Sequence, residues 1–273
     1  MNSENDHKGD NSPITVTKAN PIFNEKLDSN IVLIGNLQTG HIIHNKNIEV
    51  KTSIASITKW MSAVVFLEND NIDEDLTITD EIYNQLPHKN DLLLNEKIKK
   101  HDLLKMALMM SSNDAIVALA NSADYYDFIK NMNDKAFELG MYQTKFDNPI
   151  GFDSTNNYST AADLFQLAKY VYNNHKIIGD ISKEKSYSFT SKSNIFHLVV
   201  PTNSIIDKLS NYWGGKTGFT DEANEALLSI FEINDNSQKY PFVAIVIQSS
   251  NRFDDTQKIS QWIENNKTLL TKN

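Results

Sequence analysis

Ser56 and Lys59 stand three residues apart in Ser56-Ile57-Thr58-Lys59. At the start of a helix this spacing puts a hydroxyl and an amine on one face, one turn apart. A serine hydroxyl is a poor nucleophile until a nearby base takes its proton. Lysine can be that base only if burial and a neighbouring cation leave part of it neutral. A helix N-terminus also favours negative charge developing on the serine oxygen and on an acyl oxygen. The spacing alone is a weak signal, because short motifs recur by chance: Ser182-Lys183-Glu184-Lys185 is a second copy. That copy lies in a polar stretch ahead of a strand, with no apolar helix behind it, and reads as surface. Behind Ser56, by contrast, Ile57, Trp60, Met61, Val64 and Val65 recur at helical spacing, which predicts a helix from about Ser56 to Glu68. The bland competitor is a capping serine.

Two further clusters carry chemistry. Ser111-Ser112-Asn113 breaks the helical patterns of Asp102 to Met110 and Asp114 to Ala123. From such a break Ser111 can relay a proton to a leaving amine, and the amide of Asn113 can hold a substrate backbone group or the lysine. Taken alone, the trio is as well read as a helix cap. In Gly214-Gly215-Lys216-Thr217-Gly218, set on an edge strand, Lys216 and Thr217 offer a cation and a hydroxyl to a substrate carboxylate. Gly218 would leave room for a substrate backbone beside the strand. A phosphate-binding loop is excluded, because its first glycine would fall at Leu209-Ser210.

The order S-x-x-K, S-x-N, K-T-G is that of β-lactamases and penicillin-binding proteins. The segments Ile54 to Ala63, Met109 to Ala115, Asn148 to Phe152, Tyr158 to Ala161 and Lys216 to Thr220 resemble the low-molecular-weight penicillin-binding, serine D-alanyl-D-alanine carboxypeptidase/endopeptidase family. The likeness runs from about Ile31 to Ile263 and covers the catalytic domain only. It implies that Ser56 takes the acyl group, with Lys59 as its base and Ser111 and Asn113 shuttling the proton and holding the substrate. Lys216 and Thr217 would bind the carboxylate beside Gly218, and the backbone N–H groups of Ser56 and Phe219 would hold the oxyanion. The substrate would be a peptidoglycan stem peptide, with β-lactams as covalent inhibitors, no cofactor, no metal and an exported, extracytoplasmic location. Carboxypeptidase action is favoured; an endopeptidase, a class A-like β-lactamase and a silent peptidoglycan-binding protein are the alternatives. The β-lactamase needs a deacylating glutamate after the second motif, where this chain has Asn148-Pro149-Ile150-Gly151-Phe152, with Glu138 inside a helix. One departure is Asn224, where the family usually has glycine; asparagine is the next best residue for a left-handed backbone. Glu225 and Ala226 replace a less polar pair.

The elements that must position these groups follow from periodicity. Ile31 to Ile34 and Ile42-Ile43 read as a hairpin, with helices at Tyr125 to Leu139 and Thr160 to Tyr172. Strands are expected at Tyr187 to Phe189, Phe196 to Val200, Leu227 to Ile233 and Phe242 to Gln248, and a last helix at Thr256 to Leu270. Strands from both ends of the chain would share one sheet. The fold class is therefore α+β, a β-lactamase/D,D-peptidase-like antiparallel sheet flanked by helices with an inserted helical lobe at about 65–180. The catalytic domain would span 23–270 behind a flexible leader at 1–22. The net charge of −9 argues against nucleic acid and anionic lipid as partners. The absence of cysteine removes thiol catalysis and disulfides. The polar N-terminus lacks a signal-peptide core, so the chain reads as either cytosolic or a processed form. The seven histidines form no metal motif, and His41 and His44 read as strand-surface residues.

Overall fold

A computed structural model describes residues 21–235 and 238–271 of the chain. The expected leader at 1–22 lies almost wholly outside them. The N-terminal part runs β1 (Ile31–Asn36), β2 (Ile42–Lys46), a 3-10 turn (Ala55–Ile57), α1 (Thr58–Asn69), β3 (Asp75–Thr77), α2 (Asp80–Gln85) and β4 (Lys97–Lys99). Helices α3 (Lys100–Met109), α4 (Asn113–Ala120), α5 (Tyr125–Glu138), α6 (Ala161–Asn174) and α7 (Lys176–Ser182) follow. The chain closes with β5 (Tyr187–Thr190), β6 (Phe196–Val199), β7 (Tyr212–Thr220), β8 (Asn224–Asp235), β9 (Gln238–Ser249), α8 (Arg252–Asn265) and α9 (Lys267–Leu270).

The main sheet is antiparallel, in the order β2-β1-β9-β8-β7, so strands from both ends of the chain do share it. A strand buried on both faces shows a continuous apolar run rather than alternation, and β1 is buried throughout. Its side chains still alternate by face. Ile31 and Leu33 join Val243, Ile245 and Ile247 of β9 against the helical lobe, while Val32 and Ile34 join Phe242, Ala244 and Val246 against Ile259, Trp262 and Ile263 of α8. Helix α1 is buried from Thr58 to Phe66, as befits a helix that is apolar nearly all round. Among the described residues no helix is long and apolar enough to cross a membrane.

Several expectations need correction. The predicted strands near 187–189 and 196–200 pair with each other as β5 and β6, outside the main sheet. Elements β3, β4 and α2 are too short, and α7 too weakly periodic, to show in the sequence. Ser182 is not on the surface: it is 4% exposed at the end of α7. That helix packs so closely on β7 that a Cβ added at Gly179 would lie 2.5 Å from the ring of Trp213. The last helix begins earlier than expected, at Arg252, and is broken at Asn266. His44 is half-buried against the ring of Phe23, and burial, then the Lys46 charge, lower its pKa. His41 is exposed.

Candidate active site

The nucleophile turn is strained and clamped. Ala55, a residue with a Cβ, has φ +47, the sparsely populated left-handed region. Gly151 has φ +95, and a Cβ there would lie 1.9 Å from the Ala55 carbonyl oxygen. Only glycine lets the Asn148–Phe152 turn come this close. The Asn148 Oδ1 organises that turn by accepting from the N–H groups of Ile150, Gly151 and Phe152. On the other side, a Cβ at Gly218 would lie 2.9 Å from the Ile54 carbonyl oxygen and 3.3 Å from the Ser56 nitrogen. Gly218 therefore makes room for the nucleophile turn. Ser56 itself is half-buried in the 3-10 turn, two residues before α1.

Lys59 lies fully buried one turn on. Its Nζ donates to Ser56 Oγ at 2.8 Å, Asn113 Oδ1 at 2.7 Å and the Ile150 carbonyl at 3.0 Å. All three partners are neutral. Burial, and then the Lys216 charge, hold the amine well below the usual lysine range.

Ser111 and Lys216 form the facing wall. Ser111 has φ +63, which turns it out of line between α3 and α4. Lys216, 1% exposed on the edge strand β7, donates to Ser111 Oγ at 2.9 Å and to the Thr217 carbonyl at 3.0 Å. Burial and the Arg252 charge bring its pKa down to about 7. Ser112 instead caps α4 through the Ala115 N–H. Thr217 Oγ1 pairs with Thr202 Oγ1 at 2.6 Å, and Phe219 stands 62% exposed at the rim.

Two participants were missed in the sequence, and no motif announced them. Thr202 is carried to Thr217 by its own N–H bond to the Met109 carbonyl. Arg252 donates from Nη1 to the Gly218 carbonyl at 2.8 Å, with its own N–H held by Glu225. This gives the polar Glu225 a role that the sequence did not suggest. Asn224 has φ +49, in keeping with its reading as a substitute for glycine. Glu138 ends α5 with an exposed side chain tied to Lys135. The Asn148–Phe152 interval reaches Lys59 through the Ile150 carbonyl.

A half-buried serine bonded to a buried lysine, faced by a second lysine on an edge strand and by a serine from the α3–α4 break, suits acyl transfer to serine. The comparisons agree: residues 15–251 match the D-alanyl-D-alanine carboxypeptidase family. This chain belongs to that family. It is 31% identical over 266 residues to a D-alanyl-D-alanine endopeptidase of Escherichia coli, covering 89% of this chain and 80% of that one. It is 30% identical to the D-alanyl-D-alanine carboxypeptidase DacF of Bacillus subtilis, across 69% of this chain and 50% of the relative's length. The crystal structure of the Streptomyces K15 DD-transpeptidase superposes with a TM-score of 0.79 at 26% identity, covering 88% of this chain and 98% of that one. The fold expected from the motifs is therefore the observed one. The chain is a serine D,D-peptidase, and its relatives carry both the carboxypeptidase and the endopeptidase name.

Proposed function

We propose that the protein hydrolyses D-Ala-D-Ala bonds at the ends of peptidoglycan stem peptides through an acyl-enzyme on Ser56. The observation that carries this is the buried, carboxylate-free contact of Lys59 Nζ with Ser56 Oγ at 2.8 Å. The neutral amine takes the Ser56 proton as Oγ bonds to the carbonyl carbon of the penultimate residue. The resulting oxyanion is received by the N–H groups of Ser56 and Phe219. Collapse expels the terminal D-Ala, whose amine takes a proton by way of Ser111. Water then adds to the ester, and Ser56 regains its hydrogen. Asn113 holds the substrate backbone and Lys59 together. Lys216 and Thr217, with Arg252 close by, bind the substrate's terminal carboxylate.

A second reading, cleavage of the D-Ala-linked cross-bridge, is supported by the endopeptidase named above, which matches most of both chains. β-Lactams would act as covalent inhibitors at Ser56. The substrate lies outside the cytoplasm, so an exported, extracytoplasmic location follows from the activity. The test is incubation with purified stem pentapeptides and with cross-linked muropeptide dimers, followed by mass analysis. Release of D-Ala from pentapeptide alone supports the carboxypeptidase, and conversion of dimer to monomer the endopeptidase. Neither product, or rapid turnover of a chromogenic cephalosporin, overturns the proposal.

A further inference from the structure

The loop between α2 and β4 reaches the site from outside the three motifs. Asp114, fully buried in the first turn of α4, accepts the backbone N–H of His88 at 2.9 Å and those of Asn90 and Asp91 at 3.2 Å. Ser112 Oγ donates to the Asp91 carboxylate. The segment is thus tied to the residues on either side of Asn113. It delivers one side chain to the site: His88 Nε2 lies 3.0 Å from Asn113 Nδ2. The imidazole also meets the Phe152 ring edge-on, with centroids 6.3 Å apart.

This contact matters because of what the other end of the amide does. A protonated Lys59 has three N–H donors for its three neutral acceptors, whereas the neutral amine has two N–H groups and one lone pair. If Asn113 Oδ1 and the Ile150 carbonyl take those two hydrogens, the lone pair is left facing Ser56. If the amide turned over, its NH₂ group would face Lys59 and donate into the lone pair, competing with Ser56 for it. An amide carries a donor at one end and an acceptor at the other, so whatever binds its far side selects its orientation. An imidazole with its proton on Nδ1 accepts at Nε2, and so selects Nδ2 outward and Oδ1 toward Lys59.

We propose that His88 is a positioning residue that fixes the Asn113 amide, and through it aims the lone pair of neutral Lys59 at Ser56. The inference rests on the Ser56 reading above. His88 lies on the surface, so substituting it removes no core packing. The rate of acylation by a fluorescent penicillin and the kcat and KM for a stem pentapeptide are measured for wild type, His88→Leu, His88→Gln, Asn113→Ala and the double variant. His88→Leu should lower the acylation rate and kcat by about tenfold, the size of one hydrogen bond, with KM changed by less than about twofold. His88→Gln, which can still accept from Nδ2, should recover to within about threefold of wild type. In the Asn113→Ala background His88→Leu should cost nothing further, because the residue it acts through is gone. Unchanged thermal midpoints would check that each variant is folded. Three outcomes overturn the proposal: no loss in His88→Leu, equal losses in Leu and Gln, or an undiminished loss in the Asn113→Ala background. Wild-type protein that takes no label sinks the Ser56 reading itself, whereas labelled wild type that ignores position 88 sinks only this inference.

Discussion

The chain holds the same four-residue spacing twice, and the two copies behave oppositely. At Ser56 the lysine is buried and its partners are a hydroxyl, an amide oxygen and a carbonyl. At Ser182 the serine is the buried member, its Oγ bonded back to the Ile178 carbonyl, while Lys185 is 69% exposed and paired with Asp207. Lys100 sharpens the contrast. It is also buried, but Asp70 and Glu74 hold its pKa above the usual value, despite an opposing desolvation cost. Burial without a carboxylate is what turns a lysine from an ion-pair member into a base. Spacing brings it within reach of the serine and does no more.

The most direct way to break the comparison is to exchange the serines. Ser56→Ala should abolish labelling by a fluorescent penicillin, whereas Ser182→Ala should leave it at the wild-type level. A labelled Ser56→Ala protein would refute the assignment outright. The next test makes Lys59 resemble Lys100. Asn113→Asp sets a carboxylate 2.7 Å from Nζ, which raises the lysine's proton affinity and empties the neutral form at pH 7. A hundredfold rise in that affinity would cut the neutral fraction, and the acylation rate with it, by roughly a hundredfold. Because the lost species is the deprotonated amine, the deficit should shrink as pH rises. A deficit that is independent of pH would mean that Asn113 acts on the substrate alone.

Gly218→Ala tests the clamp rather than the charge. The added Cβ would meet Ile54 and Ala55 at about 3 Å, so β7 or the nucleophile turn must move. Overpacking of this kind costs about 1–3 kcal/mol, and the acylation rate should fall about tenfold while the fold persists. A fully active variant would mean that the turn adapts freely.

Much of this was legible in the sequence where local chemistry and periodicity agreed. The apolar stripe behind Ser56, the break at Ser111 to Asn113 and the apolar runs of β8 and β9 each mark their element, and strands at both ends of the chain imply a shared sheet. What failed to show depends on contacts between distant segments. Arg252 opens a helix whose predicted start was Thr256, and it reaches Lys216 only because β9 delivers it to the end of β7. No sequence pattern reveals that the Ile54 carbonyl lies against Gly218. Ser182 looked like surface because α7, at seven residues, is too short to display a buried face.

The two cleft lysines also set how stability depends on pH. Lys216 has a folded pKa of about 7 against an ordinary value of 10.5, and Lys59 is shifted the same way. Between those values the unfolded chain binds more protons than the folded one, so stability rises with pH from about 7 toward 10.5 and is reduced below. Lys216→Met should flatten that rise in a series of thermal midpoints. An identical slope in wild type and Lys216→Met would show that the cleft lysine is charged in the folded protein at neutral pH.

The smallest effect belongs to the second copy itself. Ser182→Ala removes a hydroxyl whose acceptor, the Ile178 carbonyl four residues earlier, lies within the same short helix. Back-bonding of this kind contributes little to a helix, and alanine has the higher helix propensity. The position is buried, so the loss of one oxygen leaves a small gap that partly offsets this gain. The net change should stay within about 0.5 kcal/mol, read as a shift in urea midpoint with an unchanged slope. A loss of about 2 kcal/mol or more, of the order expected for a buried group left unsatisfied, would mean that Ser182 carries a contact beyond its own helix, and that the second copy is not the inert counterpart of Ser56.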